Sequence, residues 1–311
     1  MLTLVSVIIP CYKNSNTLGR AIDSVLGQSK KVHEVLVVND ASPESDKIEA
    51  VISKYPQVRY IVNSRNLGLA ATRNVGVNAA TGNLVSFLDA DDELHPQKIE
   101  FQCYAYKRGT VVSCNYYRCE NSKTTDFKKF GSDFKTTTYD SVSSIIFQNK
   151  ITGASILLSK KDFNRIGSYD ESLRSCEDYD LSFRLLDNYI PIININLPLY
   201  IYKHNPDGLS TNLKQILNWQ IRVIKKNLFK PTTNIFHRLL IEFILCIWIF
   251  KHIVRCEGAI SRELRDEIKS IINRSIENSF FKLIIFLIFY SRFARLIYWL
   301  RLSKKRKKFK L

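Results

Sequence analysis

A cluster of carboxylates in the first third of the chain is the strongest chemical signal in the sequence. Residues Asp89–Glu93 place four acidic side chains within five positions, directly after the apolar run Val85–Leu88. Neighbouring carboxylates repel one another, and this repulsion raises their pKa values unless a cation neutralises them. Oxygen ligands of this kind favour Mg²⁺ or Mn²⁺, ions that commonly also bind substrate phosphates. The pattern predicts a divalent metal site, and a solvated acidic turn before a helix is the alternative.

Polar residues also follow three earlier apolar runs. The runs are Val5–Ile9, Val35–Val38 and Val58–Val62, and the residues after them are Pro10–Asn14, Asn39–Ser42 and Asn63–Asn66. In open sheets of parallel strands, ligands bind outside the carboxyl ends of the strands. We therefore expect the four strand ends to converge on one crevice.

The elements that would position these residues alternate along the first ninety positions. Short runs rich in β-branched residues are typical of strands that are buried on both faces. Between them lie stretches with helical periodicity, which are Leu18–Leu26, Ile48–Tyr55 and Ala70–Ala80. Strand and helix in alternation predict an α/β, doubly wound fold with a mostly parallel central sheet.

Length, composition and charge restrict the class of protein. The chain has 311 residues, of which 45% are hydrophobic and 24% charged, and these values exclude a disordered or fibrous chain. The formal net charge is +17, and residues 216–311 hold 21 basic and 6 acidic side chains, so the excess lies in the last third. This asymmetry predicts two regions, 1–215 and 216–311.

The cysteines and the N-terminus give an expectation about the compartment. Seven cysteines are scattered without a Cys-x-x-Cys pair. We expect free thiols in a reducing cytoplasm, and the spacing argues against a zinc site. The segment Leu2–Pro10 is interpreted as a first buried strand and not as a signal peptide, because it has no basic start.

Five segments together resemble the family-2 glycosyltransferases. They are Val7–Asn14, Val37–Ser42, Asn66–Gly76, Phe87–Asp92 and Cys176–Leu185, and the resemblance covers about two-thirds of the chain. It implies the GT-A fold of nucleotide-diphospho-sugar transferases for residues 1–215. It also implies an inverting, hexosyltransferase-type enzyme that moves a sugar from a nucleotide diphosphate, commonly a UDP-sugar, to an acceptor hydroxyl.

The resemblance assigns roles on the donor side. Asp40 matches the residue that binds the uracil, and the alternative for Asp40 is a cap on the following helix. Asp91 matches the metal ligand, and Asp89 matches the carboxylate that contacts the ribose or supports the metal site. Arg73 would donate hydrogen bonds near the nucleotide. Three further residues in the matching segments are assigned to donor binding: Pro10, Tyr12 and Asn66.

An inverting transfer also needs a base that accepts the proton of the attacking hydroxyl. This base must lie opposite the leaving UDP, and therefore on a separate segment. The resemblance identifies Asp178 as the candidate, with Glu177 beside it. The alternative is that these carboxylates only stabilise a helix N-terminus through its dipole.

The segment Tyr200–Ser210 resembles the flexible segment that closes the family's donor site. Lys203 and His204 would then reach the diphosphate. Lys203 stands where relatives often carry arginine, so a bidentate grip would be lost. The alternative for His204 is an ordinary surface-loop residue.

The last third predicts where the protein works. Gln215–Trp219 lacks the arginine of the Gln-x-x-Arg-Trp motif of processive synthases. The apolar blocks Leu239–Phe250 and Leu283–Tyr290 have twelve and eight residues, fewer than the ~20 that span a bilayer. We therefore expect a non-processive enzyme.

Residues 280–311 combine aromatic anchors with the polybasic end Lys304–Leu311, a pattern typical of peripheral binding to anionic membranes. We expect the cytoplasmic face of the plasma (inner) membrane, with a lipid-linked glycan of a cell-surface polysaccharide as acceptor. The alternative to membrane binding is an ordinary helical subdomain that ends in a solvated tail. A catalytically silent GT-A-fold binding protein, or a nucleic-acid-binding protein that uses the tail, is the alternative function; no nucleic-acid-binding motif accompanies the tail.

Overall fold

The computed structural model describes residues 3–120, 127–146, 149, 151–204, 213–228 and 273. The chain divides into two compact units, Met1–Thr211 and Asn212–Leu311. The strands are β1 (Val5–Cys11), β2 (Glu34–Asn39), β3 (Val58–Val62), β4 (Leu84–Phe87), β5 (Glu93–Leu94), β6 (Val111–Glu120), β7 (Thr136–Tyr139), β8 (Leu157–Ser159) and β9 (Ile192–His204). The helices are α1 (Ser15–Leu26), α2 (Ser45–Ile52), α3 (Leu69–Ala79), α4 (Lys98–Ala105), α5 (Lys160–Arg165), α6 (Glu177–Asp187) and α7 (Leu213–Leu228). Single 3₁₀ turns lie at Val142–Ser144 and Gly153–Ser155.

All nine strands of the described residues belong to one sheet, in the order β3-β2-β1-β4-β8-β6-β9-β5, with β7 also paired to β9. The first four strands are parallel, as the sequence predicts. In the second half β6 and β9 are parallel, while β8, β5 and β7 run antiparallel to their neighbours. The sheet is therefore mixed, and the parallel half is the half that carries the predicted strand-end residues.

The central strands are covered on both faces. All seven residues of β1 are buried, and α1 packs Leu18, Ala21, Ile22 and Val25 into the core. On α3, a methyl group at Gly76 would collide with the side chain of Ile8. Glycine at this position therefore allows α3 to approach β1 closely, and this fixes the helix that carries Arg73.

The described part of the second unit consists of α7 and residue 273. Ile221, Val223 and Ile224 are buried, and Lys225 and Lys226 lie in the last turn of α7, where cations interact favourably with the helix dipole. Among the described residues, no helix combines the length and apolar character of a membrane span. The two apolar blocks and the polybasic end lie outside the described residues, so their role stays a prediction.

Candidate active site

Backbone hydrogen bonds tie the ends of the first three strands together. The Asp40 amide donates to the Cys11 carbonyl over 2.9 Å, and the Asn63 amide donates to the Asn39 carbonyl over 2.9 Å. Cys11 ends β1 and Asn39 ends β2, while Asn63 directly follows β3. The residues after these strands therefore lie side by side, at the edge where the sequence places the site.

Asp40 supports the loop that leads into α3. Its carboxylate is buried and accepts hydrogen bonds from the amides of Leu67 (2.8 Å) and Gly68 (2.9 Å) and from Nδ2 of Asn63 (2.8 Å). Asp40 does not cap α2, which begins at Ser45 with Glu44 before it. A carboxylate has about four acceptor positions, of which these three hydrogen bonds occupy three, and the predicted contact of Asp40 with uracil stays a prediction.

Two further donor-side residues are accessible, and a third is not. Tyr12 is 41% exposed, and the Lys13 ammonium lies 5.4 Å from the centre of its ring. Asn66 is exposed, and its Nδ2 donates to the Asp40 carbonyl over 3.4 Å. Pro10 is buried within β1, so its contribution is to the backbone course of the strand end.

Arg73 joins the donor side of the site to the predicted base segment. Its Nη1 donates to Oε1 of Glu177 and its Nη2 to Oδ1 of Asp89, both over 2.6 Å. The side chain is only 2% exposed, and the rings of Phe87 and Tyr169 lie 5.9 and 5.6 Å from its Cζ. Burial and two ion pairs direct the guanidinium to protein carboxylates, and the predicted contact of Arg73 with a nucleotide stays a prediction.

Asp178 lies in the first turn of α6, next to Glu177. Its carboxylate accepts hydrogen bonds from the amides of Tyr179 (2.7 Å) and Gly153 (3.1 Å) and from Nδ2 of Asn149 (3.2 Å). Burial and the charge of Glu177 raise the pKa of Asp178 well above its usual range, against the opposing effect of Arg73. A raised pKa suits a group that must accept a proton near neutral pH.

The helix-dipole alternative explains only part of this arrangement. All three carboxylates, Glu177, Asp178 and Asp180, lie in the first turn of α6. However, Glu177 forms an ion pair with Arg73, and Asp180 is buried against Nε of Arg184 at 2.8 Å. Asp178 forms no ion pair among the described residues, and so its carboxylate remains available as a base.

The acidic cluster divides into two accessible and two buried carboxylates. The Asp89 side chain is 33% exposed and Asp91 is partly exposed. Asp92 is 2% exposed, and it accepts hydrogen bonds from the hydroxyl of Tyr200 and from the amide of Lys203. Burial and the charges of Asp89 and Asp91 raise the pKa of Asp92 to about 8. The alternative of a solvated acidic turn is therefore wrong for Asp92.

Glu93, the last member of the cluster, forms ion pairs inside the protein. Its Oε1 lies 2.7 Å from Nε of Arg20 and 3.1 Å from Nζ of Lys203. Lys203 is 1% exposed, so the prediction that it reaches a diphosphate is not supported by its position. Lys203 contacts Asp92 and Glu93, the two buried carboxylates of the acidic cluster.

The segment from Tyr200 to His204 is part of β9 and is paired with β6. Residues Tyr200–His204 of the predicted flexible segment therefore belong to a regular β-strand. The side chain of His204 and residues 205–210 lie outside the described residues, so the prediction for His204 stays open.

Asp89 and Asp91 are the residues that could hold a metal ion. No group of three or more His, Cys, Asp or Glu side chains among the described residues forms a metal cluster. Mg²⁺ usually binds through one or two carboxylates together with substrate phosphates and water. Two accessible carboxylates in one loop fit an ion that is bound jointly with a phosphorylated substrate.

Sequence reasoning missed two residues that hold Asp178. Asn149 and Gly153 both donate to its carboxylate. A methyl group at Gly153 would lie 3.1 Å from Nη1 of Arg73 and 3.2 Å from Cβ of Asp178, so glycine allows the two side chains to pack together. No motif marks these positions, because an asparagine and a glycine in a polar stretch are compatible with any loop.

Comparison with protein families places these residues in a known context. A family model described as "Glycosyl transferase family 2" matches residues 6–163. An uncharacterized glycosyltransferase of Haemophilus influenzae is 31% identical over 205 residues, which cover 63% of this chain and 67% of the relative. An uncharacterized glycosyltransferase of Rickettsia bellii is 32% identical over 188 residues, which cover 58% of this chain and 27% of the relative. A Rickettsia typhi relative is 33% identical, and the chain spans 58% of its length. The chain thus spans less than two thirds of the length of several of its relatives.

Solved structures of Staphylococcus aureus TarS share the architecture. TarS 1–349 has a TM-score of 0.56 at 19% identity, covering 86% of this chain and 79% of TarS 1–349. A complex of TarS 1–349 with UDP-GlcNAc has a TM-score of 0.59 at 17% identity, covering 87% and 80%. This likeness confirms the predicted α/β, GT-A fold class.

Proposed function

The chain belongs to glycosyl transferase family 2, and from this premise we propose that it is an inverting, hexosyltransferase-type enzyme that uses a UDP-sugar donor. The observation that carries the proposal is the Asp89–Arg73–Glu177 bridge, with both ion pairs at 2.6 Å. The bridge brings the predicted donor carboxylates and the predicted base segment into one site. Transfer to a hydroxyl requires both.

The donor half of the site supports a uridine nucleotide. Asp40 would use its fourth acceptor position for the imide N–H of uracil. Tyr12, which directly follows β1, offers an exposed ring near the same strand ends. The UDP-GlcNAc complex of TarS, a protein of the same fold, supports the choice of a UDP-sugar.

Asp91, assisted by Asp89, would hold Mg²⁺ or Mn²⁺ at the diphosphate. The ion would neutralise the charge that develops on the departing UDP. Both carboxylates are accessible, since the Asp89 side chain is 33% exposed and Asp91 is partly exposed.

Asp178 would act as the base of a single displacement. Its carboxylate accepts the proton of the acceptor hydroxyl while the acceptor oxygen bonds to the anomeric carbon. The bond between that carbon and the diphosphate oxygen breaks, and UDP leaves with the electron pair. Three N–H donors fix the carboxylate, so the geometry is set before the acceptor arrives.

We further propose that the acceptor is a lipid-linked glycan of a cell-surface polysaccharide, extended non-processively by a peripheral enzyme at the cytoplasmic face of the plasma (inner) membrane. The basic residues of 216–311 support an anionic membrane surface as partner. With such a partner, binding to nucleic acid is not needed to explain the positive charge of this region. Arg222, Lys225 and Lys226 of α7 contribute to this charge.

A donor panel tests the activity. The full chain is incubated with UDP-glucose, UDP-galactose, UDP-GlcNAc and UDP-GalNAc, with Mn²⁺ or with EDTA, and released UDP is measured. We expect Mn²⁺-dependent release from at least one donor. An absence of both binding and release for every UDP-sugar would overturn the donor assignment. Equal release of UDP in EDTA and in Mn²⁺ would overturn the proposed metal dependence.

Liposome sedimentation tests the membrane partner. The full chain and a chain that ends at residue 279 are each mixed with vesicles containing anionic or only zwitterionic lipid. We expect the full chain to sediment with anionic vesicles more strongly than the shortened chain. Equal sedimentation by both proteins would contradict a membrane role for residues 280–311.

A further inference from the structure

Arg73 and Lys203, two buried cations at the acidic residues of the site, already form ion pairs, and so does Arg20, whose Nε lies 2.7 Å from Glu93. Arg73 forms ion pairs with Asp89 and Glu177, and Lys203 forms an ion pair with Glu93. Both side chains are also buried, at 2% and 1% exposure. A diphosphate that entered the site would therefore need positive charge from another side chain, in addition to any metal ion.

Arg174 lies beside Gly68, in the loop between β3 and α3, and its own segment leads into α6. A methyl group on the Cα of Gly68 would lie only 2.8 Å from Nη1 of Arg174. The amide of Gly68 donates to Asp40, and Arg174 precedes Asp178 by four positions. The guanidinium thus rests on the loop that Asp40 supports, and its own segment leads directly to the base.

The position of Arg174 is fixed by its neighbours in the chain. Oδ1 of Asn74 accepts from the Tyr169 amide over 3.0 Å, and Nδ2 of Asn74 donates to the Tyr169 carbonyl (2.9 Å) and to Glu171 (3.0 Å). Leu173 is buried at 3% exposure. The segment before Arg174 is therefore anchored on α3, so its guanidinium is held near Gly68 from a rigid base.

Arg174 is exposed and makes no ion pair within the part of the chain that the structure describes. Gly68 has a φ of +89°, a conformation that favours glycine. Since a side chain at Gly68 would also displace the guanidinium, the same glycine satisfies the backbone and leaves room for Arg174.

We propose that Arg174 binds the diphosphate of the nucleotide donor, a role that the resemblance to family-2 glycosyltransferases gave to Lys203 and His204. The proposal rests on the proposed UDP-sugar donor. A guanidinium can donate two parallel hydrogen bonds to phosphate oxygens, and an ammonium cannot reproduce that geometry. The exposed guanidinium beside Gly68 would supply these hydrogen bonds at the loop that Asp40 holds.

Calorimetric titration of the full-length protein with UDP and with uridine, in Mg²⁺, tests the assignment. We expect Arg174→Gln to weaken UDP binding roughly tenfold or more, which corresponds to the loss of a charged hydrogen-bonding partner. Uridine binding should stay within about twofold, because uridine has no phosphate, and Arg174→Lys should fall between wild type and Arg174→Gln.

Arg65→Gln is the matched control, because Arg65 is an exposed arginine on the same β3–α3 loop. It removes one positive charge from the same neighbourhood and should leave the Kd for UDP within about twofold. Unchanged UDP binding by Arg174→Gln would overturn the assignment, as would equal weakening by both variants. A wild-type protein that binds uridine and UDP with equal affinity would also overturn it. A wild-type protein that binds neither nucleotide would instead overturn the proposed donor, so the two failures are distinguishable.

Discussion

Arg73 and Glu177 form a buried ion pair of 2.6 Å between residues 104 positions apart in the chain. The pair connects α3, which follows the donor-side loop, with α6, which carries the candidate base. Because Arg73 also contacts Asp89, one guanidinium contacts both sides of the site.

Replacing Arg73 by Met should destabilise the protein by about 3–5 kcal/mol, because it leaves two carboxylates without their buried partner. Urea unfolding measures this free energy. Arg59→Met is the control, because Arg59 pairs with Glu34 at a side-chain exposure of 47% and such a surface pair contributes about 1 kcal/mol or less. Similar losses in the two variants would contradict the central role of Arg73.

Replacing Asp178 by Asn should reduce sugar transfer by roughly 10²–10⁴-fold, which is the usual contribution of a general base. The Kd for UDP should remain within about twofold, since Asp178 faces the acceptor in the proposed mechanism. Steady-state kinetics and calorimetry measure the two effects. A variant with near-normal turnover would exclude Asp178 as the base.

The pH profile of transfer should depend on Glu177. Burial and the Glu177 charge raise the pKa of Asp178, so kcat/KM should rise with pH through an apparent pKa well above the ordinary aspartate value of about 4. Glu177→Gln removes the neighbouring charge and leaves Arg73 less neutralised. Both effects favour the ionised base and should move the profile to lower pH. A profile that stays in place would show that another group controls the rate.

Gly153→Ala should lower both stability and transfer, because the methyl group would lie 3.1 Å from Nη1 of Arg73 and 3.2 Å from Cβ of Asp178. Overpacking of this kind costs about 1–3 kcal/mol. Gly131→Ala is the control, since nothing lies within 4 Å of the added methyl group. Thermal unfolding and the donor assay measure both properties, and a fully active Gly153→Ala would contradict close packing around the base.

A buried lysine outside the site predicts an unusual pH dependence of stability. Lys98 is fully buried, donates to Oγ of Ser86 (3.0 Å) and Oε1 of Gln102 (2.8 Å), and burial lowers its pKa to about 8. Between this value and about 10.5 the unfolded chain binds more protons than the folded chain, so this residue's contribution to stability rises with pH.

Lys98→Met tests the pH dependence, because it removes the buried charge and keeps an unbranched side chain. Below pH 8 the variant should be more stable than wild type by on the order of 1–3 kcal/mol, and the difference should shrink towards pH 10. Urea unfolding at several pH values measures it. A difference that is independent of pH would assign the effect to packing alone.

The parallel half of the sheet could be predicted because β1, β2 and β4 are apolar runs that are almost entirely buried, and β3, at the sheet edge, is an apolar run that is only partly buried. β5, β7 and β8 have only two to four residues, so their pairing depends on neighbours distant in sequence and leaves no periodic pattern. The Arg73 bridge joins Asp89 to Glu177, which precedes Asp178 in the chain, and the roles of Asp89, Asp91 and Asp178 stay predictions.

The division of the acidic cluster could not be predicted. Asp92 is buried because of Tyr200 and Lys203, which lie 108 and 111 positions further along the chain. The internal ion pairs of Arg73 and Lys203 could not be predicted for the same reason. Whether an arginine or a lysine meets a substrate or an internal carboxylate is decided by tertiary partners.

The contact of Asp92 with β9 also bears on the order in which parts of the site can form during synthesis. The parallel strands and the acidic loop leave the ribosome long before Tyr200 and Lys203 are added. Until then Asp92 lacks the two groups that bind its carboxylate, and Glu93 lacks one of its two cationic partners. The loop can therefore adopt its final form only after β9 has been translated. A nascent chain that stops at residue 163, where the match to the family model ends, has the donor-side strands but neither the base nor a finished acidic loop.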